Sequence, residues 1–159
     1  MLHTDENKEL VAQVVSVLED MHVPYMIGGS VALSVWAASR MTHDIDIVVD
    51  LPEHLIADFC NRFSAERYNI DADIMRTTFS LNDHAGMGMY SFIDIEAGLK
   101  VDLFPLRADD HFQQIALSRC VLEEVVAGVK AHVCTPEALL VQNFLCYVLS
   151  DSDTHFCYC

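Results

Sequence analysis

Alternating aspartate and β-branched residues at positions 44–50 constrain the fold of this chain more than any other feature. The run reads Asp-Ile-Asp-Ile-Val-Val-Asp, so it begins with acidic residues at alternate positions and then becomes apolar. A period of two is typical of a β-strand with one polar face at its beginning. Asp44 and Asp46 are therefore expected to project from the same face, roughly 7 Å apart at the backbone, where they can share a cation.

A third aspartate, Asp102, interrupts a second apolar run. Residues 90–95 and 99–104 are predicted strands, joined by a hairpin turn that contains Gly98. If the second of them lies beside the strand with the acidic pair, three carboxylates converge. Such oxygen ligands suit Mg²⁺ or Mn²⁺ and a two-metal phosphoryl transfer. The alternative interpretation is that these aspartates lie in solvent or cap turns, because an Asp-x-Asp pattern is short and common.

Gly28, Gly29 and Ser30 follow a short apolar run, residues 25–27, which is predicted to be a strand. A helix is predicted from this turn to about Ala38. Two glycines allow the backbone to approach a phosphate closely, and the start of a helix directs N–H groups and a positive dipole end to the same place. The alternative interpretation is an ordinary strand-to-helix turn in which Ser30 is the N-cap.

Helices and strands interleave along the remaining chain, which predicts an α/β fold with a mixed β-sheet flanked by helices. Further helices are predicted at residues 6–20, from Pro52 to about Phe63, at residues 109–117 and from Thr135, with a strand pair around Gly128. The sheet is expected to be mixed because the hairpin at Gly98 requires antiparallel pairing. With 159 residues, we expect one domain at residues 1–150 and a C-terminal tail at residues 151–159.

The charge balance limits the partners of the protein. Nine basic and twenty-four acidic residues give a formal net charge of −15 without any basic run, which argues against tight nucleic-acid binding by this chain alone. An acidic protein can still bind a nucleotide when a divalent cation lies between the two sets of negative charge. The six scattered cysteines predict a reducing, cytoplasmic location, and the polar N-terminal residues predict no membrane association.

Three motifs together resemble the polymerase beta-type nucleotidyltransferase superfamily. They are Gly28-Gly29-Ser30, then Arg40-x-Thr42-x-Asp44-Ile45-Asp46, and later Lys100-Val101-Asp102. Within the superfamily the chain is similar to the AbiEii-type branch, the toxin-like nucleotidyltransferases of bacterial toxin–antitoxin and phage-abortive systems and their uncharacterised relatives. The likeness covers about residues 8–149 and includes the hairpin and the Thr-Pro-Glu segment at residues 135–137.

The resemblance implies an enzyme that transfers a nucleoside monophosphate from a nucleoside triphosphate, with ATP among the candidates, to an acceptor hydroxyl, and releases pyrophosphate. It leaves the acceptor open among protein, RNA and small molecules. It also implies that Asp44 and Asp46 bind two Mg²⁺ or Mn²⁺ ions, and that Asp102 binds the catalytic ion and helps to activate the attacking hydroxyl. The loop of Gly28, Gly29 and Ser30 is expected to hold the triphosphate.

Three further polar residues lie within these motifs. By the resemblance, Arg40 and Thr42 support the glycine loop or contact phosphate; a structural ion pair is the alternative for Arg40. Lys100 is expected to share the face of Asp102 if the strand pairing is regular. The alternative for Lys100 is a solvated charge that tempers the carboxylates.

A second interpretation is a catalytically weak or inactive module of the same fold, which binds a nucleotide or a partner protein. It rests on residues 138–150, which contain no charge, whereas relatives usually carry a lysine in this helix. Apolar side chains cover nearly the whole circumference of the segment, which predicts either self-association through residues 136–149 or a central core helix. An Asp-x-Asp glycosyltransferase is a weaker candidate because it does not account for the glycine turn.

Overall fold

A computed structural model describes residues 5–37, 44–85 and 88–150. The six strands of this part are β1 Tyr25–Ile27, β2 Asp44–Val49, β3 Tyr90–Asp94, β4 Leu99–Pro105, β5 Val121–Val126 and β6 Val129–Val133. The same residues form six α-helices: α1 Asp5–Asp20, α2 Gly29–Trp36, α3 Ile56–Asn61, α4 Ala72–Ala85, α5 His111–Ser118 and α6 Pro136–Ser150. Residues 151–159, the predicted tail, lie outside the described part, and the predicted domain of residues 1–150 stays a prediction.

The strands form one sheet in the order β3-β4-β2-β1-β6-β5. The pairs β2–β4 and β1–β6 are parallel, while β1–β2, β3–β4 and β5–β6 are antiparallel. This confirms the predicted α/β fold with a mixed sheet. The adjacent strands β4, β2 and β1 are those that carry, or lead into, the three sequence motifs.

Within the described ranges, apolar side chains from helices and strands form a continuous core cluster. Leu10, Val14 and Leu18 of α1 are fully buried, and their spacing of four places them on one face of the helix. Between α3 and β3, the rings of Phe59 and Phe92 meet edge to face with centroids 6.5 Å apart. Most predicted elements are therefore present because the apolar period of the sequence matches the face that each element buries.

One predicted helix differs from the structure, and one helix was not predicted. The helix predicted from Pro52 is a short 3-10 turn, Glu53–Leu55, followed by α3, which ends at Asn61. Pro52 has extended backbone angles and precedes the turn instead of opening an α-helix. Helix α4 was not predicted: it packs Ala72, Met75 and Phe79 against the core, but the large apolar side chains of Ile74 and Leu81 are exposed and obscure the pattern. The signal for its start is Asp71, whose Oδ1 accepts hydrogen bonds from the backbone N–H groups of residues 73 and 74.

A buried carboxylate fixes the β3–β4 hairpin. Asp94 is fully buried and accepts hydrogen bonds from the backbone N–H groups of Glu96 and Ala97, both at 3.1 Å. Arg67 lies 2.9 Å from Asp94 through Nε and 2.7 Å through Nη2, and it also reaches Glu9 of α1. Burial alone would raise the pKa of Asp94, but these donors outweigh it and lower the pKa. The cluster therefore ties the hairpin to α1.

Asp94→Ala is expected to lower the free energy of unfolding by about 3 kcal/mol, because it leaves the Arg67 guanidinium and two turn N–H groups without their buried acceptor. Urea denaturation measures the loss. Glu96→Ala is the matched control: its carboxylate is 77% exposed and 3.9 Å from Arg67, so a loss of about 0.5 kcal/mol is expected. Equal losses in the two variants would contradict the role given to Asp94.

Candidate active site

The parallel register of β2 and β4 builds one acidic cluster. Asp46 lies opposite Asp102, and Asp44 lies opposite Lys100. Side chains two positions apart on a strand share a face, so these four side chains line the same side of the sheet. The cluster lies at the start of both strands, next to the end of β1.

The glycine turn packs directly against the acidic cluster. The backbone N–H of Gly28 donates to the carbonyl oxygen of Asp46 at 2.9 Å, which continues the β1–β2 pairing into the turn. Gly29 has φ +53°, and a Cβ at this position would overlap the Asp46 carboxylate. The turn therefore requires glycine at position 29 for its backbone conformation and for its space.

Helix α2 starts beside the same carboxylate. Gly28 occupies the N-cap position of α2 and makes no side-chain cap. The alternative interpretation, with Ser30 as the N-cap, is therefore wrong. Ser30 lies inside the first turn of α2 and is buried. The first N–H groups of α2 therefore lie next to Asp46, where an anion is favoured. Gln142 of α6 is also close, since a Cβ on Gly28 would lie 3.6 Å from its Oε1.

Both oxygens of Asp102 have protein donors. Ser91 Oγ donates to Oδ1 at 2.5 Å, and Lys100 Nζ lies 2.8 Å from Oδ2. The Asp102 side chain is 5% exposed, so these contacts compensate for much of its lost hydration. Lys100 also lies 3.6 Å from Asp44 Oδ1, and its hydrogen bond to Asp102 raises the pKa of its ammonium group. Lys100 thus lies on the face of Asp102, as regular pairing predicted.

The acidic cluster disfavours ionisation of Asp46. Burial, followed by the charges of Asp102 and Asp44, raises the pKa of Asp46 from 3.8 to about 6, and Lys100 opposes this shift only in part. The raised pKa of Asp46 indicates that negative charge is in excess around its carboxylate. A further cation would relieve that excess.

The donor set fits divalent metal in its chemistry. Asp44, Asp46 and Asp102 offer carboxylate oxygens, the ligands that Mg²⁺ and Mn²⁺ prefer, in a cluster with excess negative charge. Across residues 5–37, 44–85 and 88–150, however, no three acidic, histidine or cysteine side chains are already arranged around a common metal position. The Lys100 ammonium contacts two of the three carboxylates.

The structure adds two residues that sequence reasoning missed and leaves two predicted ones undescribed. Ser91 donates to Asp102 and Gln142 lies near Gly28, and neither belongs to a motif. The alternation of β3 with its partner strand was the only available signal for Ser91. Arg40 and Thr42, predicted to contact phosphate or support the loop, lie outside the described residues. The roles of all the candidate site residues stay predictions.

Solved structures with a similar fold include a candidate nucleotidyltransferase and two structures of an antibiotic-resistance factor. A candidate nucleotidyltransferase from Thermotoga maritima is 16% identical, with a TM-score of 0.63 over 97% of this chain and 92% of the other. The antibiotic-resistance factor ANT(2'')-Ia in solution is 16% identical, with a TM-score of 0.57 over 96% and 80% of the two chains. The crystal structure of ANT(2'')-Ia with adenylyl-2''-tobramycin is 15% identical, with a TM-score of 0.56 over 92% of this chain and 78% of the other. At these identities the likeness establishes the nucleotidyltransferase fold.

The sequence profile of the aminoglycoside-2''-adenylyltransferase family matches residues 10–134, which include the glycine turn and all three aspartates. The chain belongs to this family. It is therefore an enzyme of the nucleotidyltransferase class, whose reaction is transfer of a nucleoside monophosphate. No curated protein sequence matches the chain significantly.

The superfamily predicted by the resemblance is confirmed, whereas the AbiEii-type branch stays a prediction. Among the described helices, none has the length and apolar character needed to cross a membrane.

Gly29→Ala is expected to lower the free energy of unfolding by about 2–4 kcal/mol, because alanine is strained at this φ and its methyl group overlaps Asp46. Gly98→Ala separates the two causes: Gly98 has φ +66° and nothing within 4 Å of a Cβ, so only about 1 kcal/mol of backbone strain is expected. Thermal and urea unfolding of both variants provide the comparison. Equal costs would show that the contact with Asp46 does not matter.

Asp46→Asn is expected to stabilise the metal-free protein at neutral pH. Because the folded pKa of about 6 exceeds the ordinary 3.8, folding favours the protonated acid, and stability falls as pH rises through this window. In EDTA the variant should therefore exceed the parent by about 1–3 kcal/mol at pH 7.5, with little advantage below pH 4. Urea unfolding across pH tests this. Asp58→Asn, at an exposed position on α3, controls for loss of one charge; a pH-independent difference for Asp46→Asn would contradict the prediction.

Proposed function

We propose that this protein transfers AMP from ATP to a hydroxyl group of an aminoglycoside-like acceptor, with Mg²⁺ or Mn²⁺, and releases pyrophosphate. The observation that carries the proposal is the convergence of the acidic cluster and the glycine turn, within the residues matched by the family profile. The name of that family and the adenylyl-2''-tobramycin bound to ANT(2'')-Ia supply the choice of nucleotide and acceptor.

The proposed nucleotide site uses the glycine turn and the start of α2. Gly28 and Gly29 keep side chains away from the phosphates, and the first N–H groups of α2 donate to phosphate oxygens. Ser30 is assigned to the same triphosphate site. Arg40 and Thr42 are proposed to support the loop or contact phosphate from the segment that precedes β2.

Asp44, Asp46 and Asp102 are the proposed metal ligands. When bound, the metal ions supply charge neutralisation of the triphosphate and of the attacking and leaving oxygens. Asp102 accepts the proton of the acceptor hydroxyl or orients that hydroxyl, and Ser91 holds the Asp102 carboxylate in position. The cluster aligns the two reactants, and such alignment supplies a large part of the reduction in the activation barrier for phosphoryl transfer.

The charge of the protein favours a cationic acceptor. A net charge of −15 attracts a polycationic small molecule and raises its rate of encounter with the site. The same charge disfavours RNA as an acceptor, because an acidic protein whose sequence has no basic run repels a polyanion. A small molecule with several amino groups and hydroxyls, such as an aminoglycoside, satisfies both conditions.

The test is incubation with tobramycin and each of the four ribonucleoside triphosphates in Mg²⁺, with pyrophosphate release and product mass as readouts. We expect a product heavier by one AMP unit, formed with ATP and abolished by EDTA. Asp46→Asn and Asp102→Asn should lower the rate at least about 100-fold, while Asp58→Asn should retain it. A folded protein that binds ATP with Mg²⁺ but modifies no aminoglycoside would contradict the proposed acceptor. It would not contradict the assignment as a nucleotidyltransferase.

The second candidate is a weak or inactive module of the same fold that binds a nucleotide or a protein partner. It is favoured by the uncharged stretch of α6, because Gln142, near the glycine turn, is neutral and adds no positive charge for a triphosphate. Calorimetric titration with ATP, first with Mg²⁺ and then with EDTA, separates the two. The AbiEii-type branch, a toxin–antitoxin role and a cytoplasmic location stay predictions.

We also propose self-association through α6. Leu140 and Phe144 are 70% and 63% exposed, and Val141 and Leu145 are exposed beside them. Pairing of two such helices would remove this apolar surface from water. Sedimentation velocity at several concentrations should show a dimer that Leu140→Glu converts to a monomer; a parent protein that is already monomeric at high concentration would contradict the proposal.

A further inference from the structure

Lys100 occupies a central position within the acidic cluster. Its ammonium nitrogen lies 2.8 Å from Asp102 Oδ2 and 3.6 Å from Asp44 Oδ1, so one positive charge bridges two strands. The register explains the position: Lys100 lies opposite Asp44 and two residues before Asp102. Its side chain is 33% exposed, which leaves part of it open to solvent.

Each carboxylate oxygen of Asp102 contacts a protein donor in this arrangement. Ser91 Oγ donates to Oδ1, and Lys100 contacts Oδ2. With 5% of the side chain exposed and both oxygens already contacted, a cation that approaches Asp102 meets the positive charge of Lys100 beside Oδ2. Ser91 is part of β3, whereas the ammonium group lies at the end of four rotatable bonds. The Lys100 ammonium group can therefore leave Asp102 without any change in the strand pairing.

We infer that Lys100 is a resident counter-ion that competes with divalent metal for Asp44 and Asp102, so that metal binds tightly only together with a triphosphate. The inference rests on the proposed metal-dependent function. A bound triphosphate offers the ammonium group other anionic partners, and when Lys100 moves to them it frees Asp102. Metal and nucleotide are then coupled positively, each raising the affinity of the protein for the other.

The competition has a definite direction. A positive charge within 4 Å of two carboxylates repels an incoming divalent cation and also neutralises part of the charge that attracts it. Removal of that charge should strengthen binding of metal alone. Removal should also weaken the coupling between metal and nucleotide, because no ammonium group remains to be transferred.

The experiment is Mn²⁺ titration followed by electron paramagnetic resonance, with and without ATP, on the parent protein, Lys100→Met and Lys100→Arg. Without ATP, Lys100→Met should bind Mn²⁺ roughly tenfold more tightly than the parent. Lys100→Arg keeps the charge and should behave like the parent. Lys130→Met, at an exposed position on β6, removes the same net charge elsewhere and should leave the affinity unchanged.

Two further measurements keep failures distinguishable. Asp46→Asn in the Lys100→Met background should abolish the tight Mn²⁺ binding, which ties the ion to the cluster, and circular dichroism confirms that each variant is folded. Unchanged or weaker Mn²⁺ binding by Lys100→Met, while the parent still binds Mn²⁺ with ATP, overturns the role of Lys100 alone. No Mn²⁺ binding by the folded parent even with ATP overturns the proposed metal-dependent function and, with it, this inference.

Discussion

The parallel pairing of β2 with β4 is the constraint on which the site depends. Its register sets Asp46 beside Asp102 and Lys100 beside Asp44, so a slip of one residue would turn these side chains to the opposite face. The antiparallel pairing of β1 with β2 then brings the glycine turn onto Asp46. Three segments far apart in sequence thus share one position because the central strands have fixed registers.

The cluster is a compromise between stability and chemistry. Partly buried carboxylates repel one another, as the raised pKa of Asp46 shows, and the folded chain compensates only in part through Lys100 and Ser91. Asp94 illustrates the opposite arrangement, since Arg67 and backbone N–H groups satisfy it fully and its pKa falls. The acidic cluster around Asp46 has excess negative charge that a bound ligand can neutralise, whereas Asp94 stabilises the hairpin.

Local patterns predicted the central part of the fold well. The alternation at β2, the hairpin at Gly98 and the glycine turn each have a period or turn chemistry that short segments express on their own. The same patterns could not supply Ser91, whose contact with Asp102 depends on the register between two strands. Helix α4 was missed although Ala72, Met75 and Phe79 recur at helical spacing and pack against the core, because the exposed Ile74 and Leu81 interrupt that apolar pattern.

The order of the strands along the chain also affects how the protein folds. Strands β1 and β2 are close in sequence and can pair early, but β4, with Lys100 and Asp102, is separated from β2 by α3, α4 and β3. Closure of that long loop carries an entropic cost before any contact offsets it. The pairing of β4 with β2 that places Asp102 beside Asp46 also brings the Lys100 ammonium group, so the added negative charge and the lysine that partly neutralises it reach the site in the same step.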